Sequence, residues 1–398
     1  MKILILQDYI PPVSFGGDGI IALGLAKSFK NAGHDVAIIT TVQKKKGEGV
    51  SEENGLKIHK LYSSYHLRWR SYISIYNPKV LGEVERIINE YKPDVVHVHN
   101  IHYHLSYYSL KLAKKSGAKV FLTAHDTMLF HYGKLDKPEK ISPWAQFRKY
   151  KRRYNPLRNT LIRHYLKYVD KIFPVSRALE EALNQNGITN TEVIHNGIDV
   201  SEWQMDEASV ETFKAKYGLH NKRVMLFGGR LSAAKGGHEA VKALAKVIKK
   251  IPNAVLLVLG SENEYSKEMI GLASNLGISK TIIFTGWISG QELKSAYHAS
   301  DVVLVLSTYL DPFPTVNLEA MASLKPVVGT FFGGTPEVVM DEKTGYIVDP
   351  RDTENVADKI IKLLSERNTF GTTGYQRIKK DFSLGKTSKS YLDRFGGM

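Results

Sequence analysis

Two basic residues flank a glycine-rich stretch in the second half of the chain. Arg230 and Lys235 lie between Gly228 and Gly237, after an apolar strand predicted at 223–227 and before a predicted helix. A guanidinium offers a rigid fork to phosphate oxygens, an ammonium acts as a point charge, and a helix N-terminus favours anions. This combination predicts a diphosphate site. The spacing of a P-loop is absent, and a solvated basic loop is the alternative.

Two carboxylates lie eight residues apart after a later apolar run. Asp311 follows the predicted strand at 301–306, and Glu319 lies in the first turns of the next helix. If both face the same crevice, one can accept a hydrogen bond from a sugar hydroxyl and the other from a ribose hydroxyl. A glycosidase acid/base pair is a second interpretation. For Glu319 alone, a purely structural role at the helix start is the alternative.

A second glycine-rich turn follows the first predicted strand. Gly16 and Gly17 precede a helix whose N–H groups suit a phosphate or a sugar in a cleft between domains. The pattern Gly17-x-Gly19-x-x-Ala22 also matches the dinucleotide fingerprint, but about ten residues separate it from its strand, whereas the fingerprint follows directly. A nicotinamide or flavin site and a plain structural turn are the alternatives.

Histidines gather after the fourth and fifth predicted strands. They are His97, His99, His102, His104 and His125. The spacing does not supply a well-placed set of three or four ligands with outer support, so we predict no metal site. His125 lies just past a strand end, at the edge where open α/β sheets bind ligands. A hydrogen-bonded loop histidine is the alternative.

The elements that must position these residues are short apolar strands alternating with amphipathic helices. This alternation predicts βαβ units with parallel sheets covered on both faces, and its two successive runs predict two doubly wound, Rossmann-like domains. We place the first domain at 1–198, the second at 199–383, and a final helix at about 384–398. The predicted strands are 2–6, 35–40, 56–60, 94–98, 118–123, 171–175, 192–194, 223–227, 254–259, 281–285, 301–306, 326–329 and 345–348.

Composition narrows the class of protein. The 398 residues are 43% hydrophobic and 24% charged, as in folded globular chains and unlike disordered ones. Without cysteine the chain forms no disulfide, thiolate nucleophile or Cys-ligated metal site, which fits a reducing compartment. The sequence shows neither a signal peptide nor an apolar run long enough to span a bilayer. We therefore expect a cytoplasmic protein.

The net charge of +15 is concentrated in one stretch. Residues 127–177, the basic segment, hold 13 basic and 3 acidic side chains. Basic residues mixed with aromatic ones suit the anionic face of a membrane or a polyanionic glycan, and a solvated insertion is the plain alternative. The residues concerned are Arg148, Lys149, Lys151, Arg152, Arg153, Arg158, Arg163 and Lys167, with Trp144, Phe147, Tyr150, Tyr154, Tyr165 and Tyr168.

In order and spacing, the motifs resemble those of glycosyltransferase family 4, a family of retaining transferases with the GT-B fold. The resemblance covers nearly the whole chain. It implies two Rossmann-like domains facing across a cleft, with the acceptor on the first, the nucleotide sugar on the second, and a final helix that returns to the first. The matching motifs are Gly16-Gly17, 94–99, 123–126, 194–199, Gly229-Arg230 with Lys235-Gly236, 311–322 and 333–337.

The resemblance also implies roles for individual residues. Arg230 and Lys235 would hold the diphosphate, Glu319 the ribose, and Asp311 the donor sugar. The implied catalytic residues are His125, Arg230, Lys235 and Asp311. The implied donor-binding residues are Gly16, Gly17, Asn196, Arg230, Lys235, Asp311, Phe313, Thr315, Val316 and Glu319.

The implied reaction moves a glycosyl group, with retention, from a nucleoside diphosphate sugar to a hydroxyl of a glycan or lipid-linked acceptor. Because Arg230, Lys235 and the helix terminus would stabilise the charge on the leaving diphosphate, we expect no metal, which is consistent with the lack of an Asp-x-Asp motif, and no cofactor besides the donor. Two departures from the family pattern concern the donor sugar. Asp311 stands where the family usually has Glu, and Pro314 stands where Gly is common and lacks an N–H.

Other function classes stay open at this point. A nucleotide-sugar epimerase or a sugar phosphorylase of the GT-B fold would turn over its substrate without such an acceptor. A nicotinamide-dependent oxidoreductase would leave Arg230, Lys235 and Glu319 without a role. Nucleic acid is not expected as a partner, since no known module for it is present. For a lipid-linked acceptor, the basic segment predicts peripheral association with the inner face of the cell membrane.

Overall fold

The computed structural model describes residues 1–14, 16–366 and 369–397, except for the side chain of Arg152. The chain forms two compact units. The first unit comprises Met1–Gly197 together with the C-terminal helix that begins at Leu384, and the second unit comprises Ile198–Ser383. The boundary after Gly197 lies one residue before the predicted one. The second unit is thus inserted, along the chain, into the first.

A seven-stranded sheet forms the centre of the first unit. Its strands are β1 (Lys2–Leu6), β2 (Asp35–Val42), β3 (Gly49–Glu53), β4 (Leu56–Tyr62), β5 (Val95–Val98), β6 (Lys119–Ala124) and β7 (Lys171–Pro174). Their order is β3-β4-β2-β1-β5-β6-β7, parallel except for β3 at the edge. The order reverses between β1 and β5, and a doubly wound sheet has its ligand crevice at the carboxyl ends there.

Helices cover this sheet. They are α1 (Gly17–Asn31), α2 (Arg70–Ile73), α3 (Pro78–Tyr91), α4 (Tyr108–Lys115), α5 (Pro143–Tyr150), α6 (Arg158–Leu166) and α7 (Arg177–Gln185). Local sequence fixes several starts. Asn77 accepts a hydrogen bond from the N–H of Lys79 before α3, and Ser176 accepts one from Leu179 at the start of α7.

The second unit has a six-stranded sheet that is parallel throughout. Its strands are β8 (Arg223–Gly228), β9 (Ala254–Leu259), β10 (Ile282–Phe284), β11 (Val302–Val305), β12 (Val327–Thr330) and β13 (Gly345–Val348). Their order is β10-β9-β8-β11-β12-β13. Here the order reverses between β8 and β11, so the expected ligand crevice lies at the carboxyl ends of these two strands.

The helices of the second unit enclose a core of aliphatic side chains. They are α8 (Glu207–Tyr217), α9 (Gly237–Val247), α10 (Glu264–Asn275), α11 (Gly290–Ala299), α12 (Thr315–Ala322), α13 (Thr335–Val338), α14 (Thr353–Ser365) and α15 (Phe370–Asp381). Leu244 of α9 and Ile360 of α14 lie in one core cluster with the sheet residue Leu256. No helix in the described ranges is long and apolar enough to cross a membrane.

The last helix, α16 (Leu384–Gly397), completes the core of the first unit. Phe395 packs against Phe121 with ring centroids 4.8 Å apart, and against Phe29 at 5.8 Å. Tyr391 Oη lies 3.0 Å from Thr123 Oγ1. Met398, the end of the predicted helix, lies outside the described residues.

The predicted strand at 192–194 is wrong. Residues 190–194 run beside β7 and form three main-chain hydrogen bonds with it, from Ile172 N–H to Asn190 O and from the N–H groups of Glu192 and Ile194 to β7 carbonyls. Only the pair Ile172 and Thr191 forms a bridge. Pro174 has no N–H to donate, so the ladder cannot continue. The antiparallel edge strand β3, with its exposed polar pattern, was not predicted.

Candidate active site

The glycine-rich loop, residues 229–236, follows β8 and lies against the segment after β11. Gly236 has a φ of +83°, and a Cβ there would lie 2.0 Å from the carbonyl oxygen of Leu306. The N–H of Thr308 donates to the carbonyl of Ala234 at 2.9 Å. Only glycine at position 236 allows the loop to lie this close to Leu306. The loop is therefore held at the carboxyl ends of β8 and β11, where the strand order of the second unit reverses.

An ion pair joins the glycine-rich loop to the segment after β11. Lys235 Nζ lies 2.5 Å from Asp311 Oδ2, and Ser307 Oγ donates to the same oxygen at 2.8 Å. Asp311 is buried, whereas the Lys235 side chain is 26% exposed. Burial is the largest single influence and would lower the pKa of Lys235, but the charges of Asp311 and Tyr309 and their hydrogen bonds together raise it. Two of the predicted site residues are thus in contact, and Lys235 stays protonated.

The motif at 333–337 holds the main chain of Asp311. Gly333 has a φ of +71°, and a Cβ there would lie 2.0 Å from the Asp311 carbonyl oxygen. The N–H of Gly334 donates to that same oxygen at 2.9 Å. Asp311 is therefore fixed both through its side chain and through its main chain.

Arg230 lies on the glycine-rich loop as predicted, but it is exposed. It follows Gly229, whose φ of +111° is accessible mainly to glycine. The exposed guanidinium of Arg230, on a loop that is otherwise anchored, is accessible to a bound anion.

Glu319 lies in α12 and is half-buried. Tyr297 of α11 donates from Oη to Glu319 Oε2 at 2.5 Å. Burial raises the pKa of Glu319, and the hydrogen bonds from Tyr297 and Thr315 oppose that rise. Tyr297 is itself buried and packs edge-on against Trp203, with ring centroids 5.3 Å apart. Sequence reasoning missed Tyr297, because one tyrosine in an amphipathic helix looks like an ordinary core residue.

Three more predicted residues lie at the start of α12 or just before it. Phe313 is buried, and Thr315 and Val316 are half-buried at the first two helical positions, whose N–H groups have no acceptor within the helix. Asn317 was not predicted. Its side chain is fully buried, its amide donates to Thr335 Oγ1 at 3.1 Å, and its Oδ1 has no hydrogen-bond partner.

In the first unit, Gly16 and Gly17 lie at the N-terminus of α1, as expected for a cradle. Gly16 has an ordinary φ of −64°. The glycine required by packing is Gly19, where a Cβ would lie 2.4 Å from the carbonyl oxygen of Tyr9. In a dinucleotide site this glycine would lie against the pyrophosphate. Here the chain's own backbone covers Gly19, which argues against the dinucleotide interpretation.

The histidines of the predicted cluster are held by hydrogen bonds to one another and to a threonine. His125 Nε2 lies 2.9 Å from His99 Nδ1 with the rings stacked, and His97 Nε2 lies 2.8 Å from Thr123 Oγ1. Burial lowers the pKa of His97 to about 3 and that of His125 to about 4, so both rings are neutral near pH 7. Over the described ranges, no group of three or more His, Cys, Asp or Glu residues could hold a metal ion.

Asp8, which sequence reasoning did not select, lies where the strand order of the first unit reverses. It is buried and accepts hydrogen bonds from the N–H groups of Tyr103, His104 and Leu105 at 2.6 to 2.9 Å. Desolvation raises the pKa of Asp8 to about 7, although these hydrogen bonds oppose the rise. Asp8 therefore fixes the loop that follows β5.

Asn196, a predicted donor-binding residue, belongs to the first unit. It is buried, and its side-chain Oδ1 has no hydrogen-bond partner. An unpaired buried carbonyl is costly, so this oxygen is suited to a ligand hydroxyl or a water molecule.

The basic segment only partly forms the predicted surface. Trp144 is 63% exposed and stacks on Phe147, with ring centroids 5.5 Å apart. Arg158 and Tyr154, however, are almost fully buried. The prediction that both lie on a solvent-facing basic surface is wrong, because Arg158, the first residue of α6, and Tyr154, which precedes that helix, both face the interior. The side chain of Arg152 lies outside the described residues.

Two family models match the chain. The model of glycosyl transferases group 1 matches residues 209–379, and the model of Glycosyltransferase Family 4 matches residues 15–202. An uncharacterised glycosyltransferase of Methanocaldococcus jannaschii is 28% identical over 377 residues, which cover 92% of this chain and 90% of the relative. The N-acetyl-alpha-D-glucosaminyl L-malate synthase of Bacillus anthracis is 25% identical over 96% of this chain and 94% of its own.

A solved structure with the same fold is Anabaena HepE in complex with UDP and glucose. The two chains superpose with a TM-score of 0.76 at 19% identity, over the full length of both. At this identity the likeness establishes the fold.

Proposed function

The chain belongs to glycosyltransferase family 4 and has the GT-B fold, and on this premise we propose that it transfers a hexosyl group from a nucleoside diphosphate sugar with retention of configuration. The reaction uses no metal ion and no cofactor besides the donor. The observation that carries the proposal is the ion pair of Lys235 and Asp311. It sets a permanent cation beside a buried carboxylate at the strand ends where a doubly wound sheet binds its ligand.

The second unit binds the donor. Lys235 and Arg230 of the glycine-rich loop contact the diphosphate, with the free N–H groups of Thr315 and Val316 at the start of α12. Glu319, oriented by Tyr297, accepts hydrogen bonds from the ribose hydroxyls. Asp311 and Phe313 contact the sugar, and the shorter acid and Pro314 shape the pocket for it.

The chemical step breaks the bond between the anomeric carbon and the diphosphate oxygen. The electron pair goes to the leaving diphosphate, whose growing charge is stabilised by Lys235 and Arg230. The acceptor oxygen bonds to the same face of the anomeric carbon, and its proton passes to a leaving phosphate oxygen. His125 and Asn196 serve as neutral hydrogen-bond partners of substrate hydroxyls, and Gly16 and Gly17 leave the N-terminus of α1 open beside them.

A panel of nucleotide sugars, each offered as the donor, tests this proposal. UDP-glucose comes first, because Anabaena HepE has been solved with it. GDP and ADP sugars follow. Slow donor hydrolysis and stabilisation against heat by one nucleotide sugar are expected. NMR of the anomeric proton of the product then reports the configuration. Turnover with inversion, or no response to any nucleotide sugar, would contradict the proposal.

The acceptor is a hydroxyl of a glycan or a lipid-linked glycan. The names of relatives include an N-acetyl-alpha-D-glucosaminyl L-malate synthase and a phosphatidylinositol monomannoside mannosyltransferase, so acceptors differ widely among similar chains. The lipid-linked case is favoured here by exposed aromatic rings next to basic residues.

An anionic membrane surface is the partner we propose for this aromatic face. Trp144 is exposed in the basic segment, and Trp69 and Tyr72 are exposed at 49% and 39%. Ser71 Oγ donates to the carbonyl of Arg153 at 2.8 Å, which places the two stretches side by side. Flotation with liposomes that contain or lack anionic lipid tests this. Binding should require anionic lipid, weaken with salt and fall in the Trp144→Ala variant; binding to neither type of liposome would overturn it.

A further inference from the structure

The sheets formed by the described residues have four edge strands, and both edges in the first unit are protected against pairing with another chain. The segment 190–194 runs along β7 and forms three main-chain hydrogen bonds with it. At the other edge, β3 exposes the acids Glu52 and Glu53. Charged side chains on an edge strand discourage a further strand from pairing with it.

One edge of the second unit, β13, is covered by the turn that precedes it. The N–H of Ile347 donates to Asp341 Oδ1 at 2.9 Å, and the N–H of Glu342 donates to the carbonyl of Gly345 at 2.9 Å. Main-chain groups of β13 therefore already have partners within the chain, and the side chains of this strand are mostly buried.

The fourth edge strand, β10, is neither charged nor covered. Its three residues are apolar and half-buried. The N–H of Thr285 donates to the carbonyl of Val258 in β9 at 3.1 Å. Because successive residues of a strand direct their main-chain groups to opposite sides, Ile282 and Phe284 direct theirs away from β9. In the described part of the chain, no main-chain group pairs with these two residues on that side.

The two ends of β10 carry opposite charges. The exposed Lys280 lies just before the strand. Helix α10 leads from the carboxyl end of β9 back to the amino end of β10, so its first turns lie near the carboxyl end of β10. That region exposes Glu262, Glu264 and Glu268, with Lys267 among them. The edge of the sheet therefore has a basic end and an acidic end.

We propose that β10 pairs with β10 of a second copy of this chain about a two-fold axis, which joins the two six-stranded sheets into one. The two strands run antiparallel. Ile282 then lies opposite Phe284 of the partner subunit, and each such pair exchanges two main-chain hydrogen bonds. A β-branched side chain opposite an aromatic one is a favourable cross-strand pair.

The charges favour a second copy over an unrelated strand. Antiparallel pairing places the amino end of each β10 beside the carboxyl end of the other, so Lys280 faces the acidic start of the partner's α10. The same surface supplies both charges, as a two-fold contact requires. The carboxyl ends of the two sheets then point in opposite directions, which leaves the crevice of each copy open. This pairing does not depend on the proposed glycosyl transfer.

Analytical ultracentrifugation of the full chain, from about 1 to about 100 µM, measures the association. Because the strand is short, we expect a weak dimer with a Kd of about 10 µM. Hydrogen exchange over the same concentrations locates the contact. The amides of Ile282 and Phe284 should become protected as the dimer forms, since their N–H groups face outward in the single chain.

Charge exchange tests the antiparallel arrangement. One variant carries Lys280→Glu, and a second carries Glu264→Lys together with Glu268→Lys. Each alone should dimerise about tenfold more weakly, because like charges then face each other at both ends of the contact. An equimolar mixture of the two should recover the affinity, since both ends then join opposite charges. The matched control is Lys343→Glu, an exposed lysine before the other edge strand, β13.

Several results would overturn the proposal. These are a wild-type chain that stays monomeric over the whole range, charge variants that dimerise like the wild type, and a mixture that does not recover affinity. Growth beyond the dimer would contradict a closed two-fold contact. Melting temperatures show that each variant is folded, and recovery in the mixture cannot arise from a variant that is unfolded.

Discussion

The two units bring charged side chains to the same edge of the same kind of sheet, but they stabilise those charges differently. In the second unit, Lys235 contacts Asp311 and Glu319 contacts Tyr297, so these three side chains each have a direct partner. In the first unit, the strand ends carry buried neutral histidines, and the buried Arg158 of α6 has no ion-pair partner in the described structure. The charges of the second unit are thus balanced by direct contacts, whereas the first unit buries a guanidinium that has hydrogen bonds but no ion pair.

Breaking the ion pair of the second unit should have the largest effect. Lys235→Ala removes the cation at the diphosphate and leaves Asp311 buried without its partner, so we expect kcat/KM to fall by about 10²- to 10³-fold. Arg230→Ala should lower it by one to two orders of magnitude, on the order expected for loss of one charged contact. Steady-state kinetics with the identified donor measure both.

The matched control is Lys242→Ala, which removes an exposed lysine of α9. It should keep full activity. Near-normal turnover in Lys235→Ala would remove the basis for the diphosphate site. Thermal melting of each variant separates loss of function from loss of fold.

Acid should destabilise the first unit more than the second. The folded pKa of His97 is lowered to about 3 and that of His104 to about 4, both by burial. As the pH falls from about 6.5 to about 4, the unfolded chain binds protons at these rings that the folded unit cannot bind, so the free energy of unfolding decreases. Each ring contributes on the order of 3 kcal/mol at most.

Two acids act in the opposite direction. The pKa of Asp8 is raised to about 7 and that of Asp126 to about 6, so the folded unit binds their protons first and gains stability as the pH falls. With five buried or half-buried histidines against two acids, we expect a net loss. Peptide-resolved hydrogen exchange at pH 7 and pH 5, corrected for intrinsic rates, should show loss of protection in the first unit. Equal loss in both units would contradict the comparison.

A smaller effect is expected from Tyr297→Phe. This variant removes the hydrogen bond that orients Glu319 and lets burial raise the pKa of that carboxyl further. We expect the KM for the donor to rise about three- to tenfold with kcat little changed, and more so at low pH. Tyr217→Phe, which removes a hydrogen bond to Glu292 in the same unit, is the control. A change in kcat alone would argue against a role in ribose binding.

No effect is expected from chelation. Because Lys235 and Arg230 supply the positive charge at the leaving diphosphate, EDTA should leave the rate unchanged and added Mg²⁺ or Mn²⁺ should not raise it. Rates measured after dialysis against chelator test this directly. Strict dependence on a divalent ion would replace the proposed mechanism with one assisted by a metal.

Much of the second unit could be predicted from the sequence, because strands buried on both faces are continuous apolar runs and site residues follow them closely. The contact between Lys235 and Asp311 follows from strand order once β8 and β11 are neighbours. The role of Tyr297 could not be predicted, since a hydrogen bond between adjacent helices leaves no mark on local spacing. Residues 192–194 do not form a strand because of Pro174, which lies in β7 and not in the segment whose pattern predicted the strand.

The first unit was harder to predict. A basic residue among aromatic ones is usually exposed, and Arg158 looks no different in sequence from the exposed arginine Arg163. Only the packing of α6 separates the two. Likewise, the role of Asp8 is visible only after the loop following β5 is placed, because its hydrogen-bond partners are N–H groups of that loop. Residues that lie close to a strand end in sequence could be selected as candidates, whereas contacts that depend on distant loops could not.

The path of α16 bears on how the protein folds during synthesis. Phe395 and Tyr391 pack on Phe29 and Phe121, which the ribosome makes hundreds of residues earlier. The second unit can therefore reach its native form on the nascent chain while the first unit still exposes an apolar surface that awaits its last helix. The first unit is thus synthesised first but completed last. Chaperones that bind nascent chains should therefore engage the first unit for longer than the second.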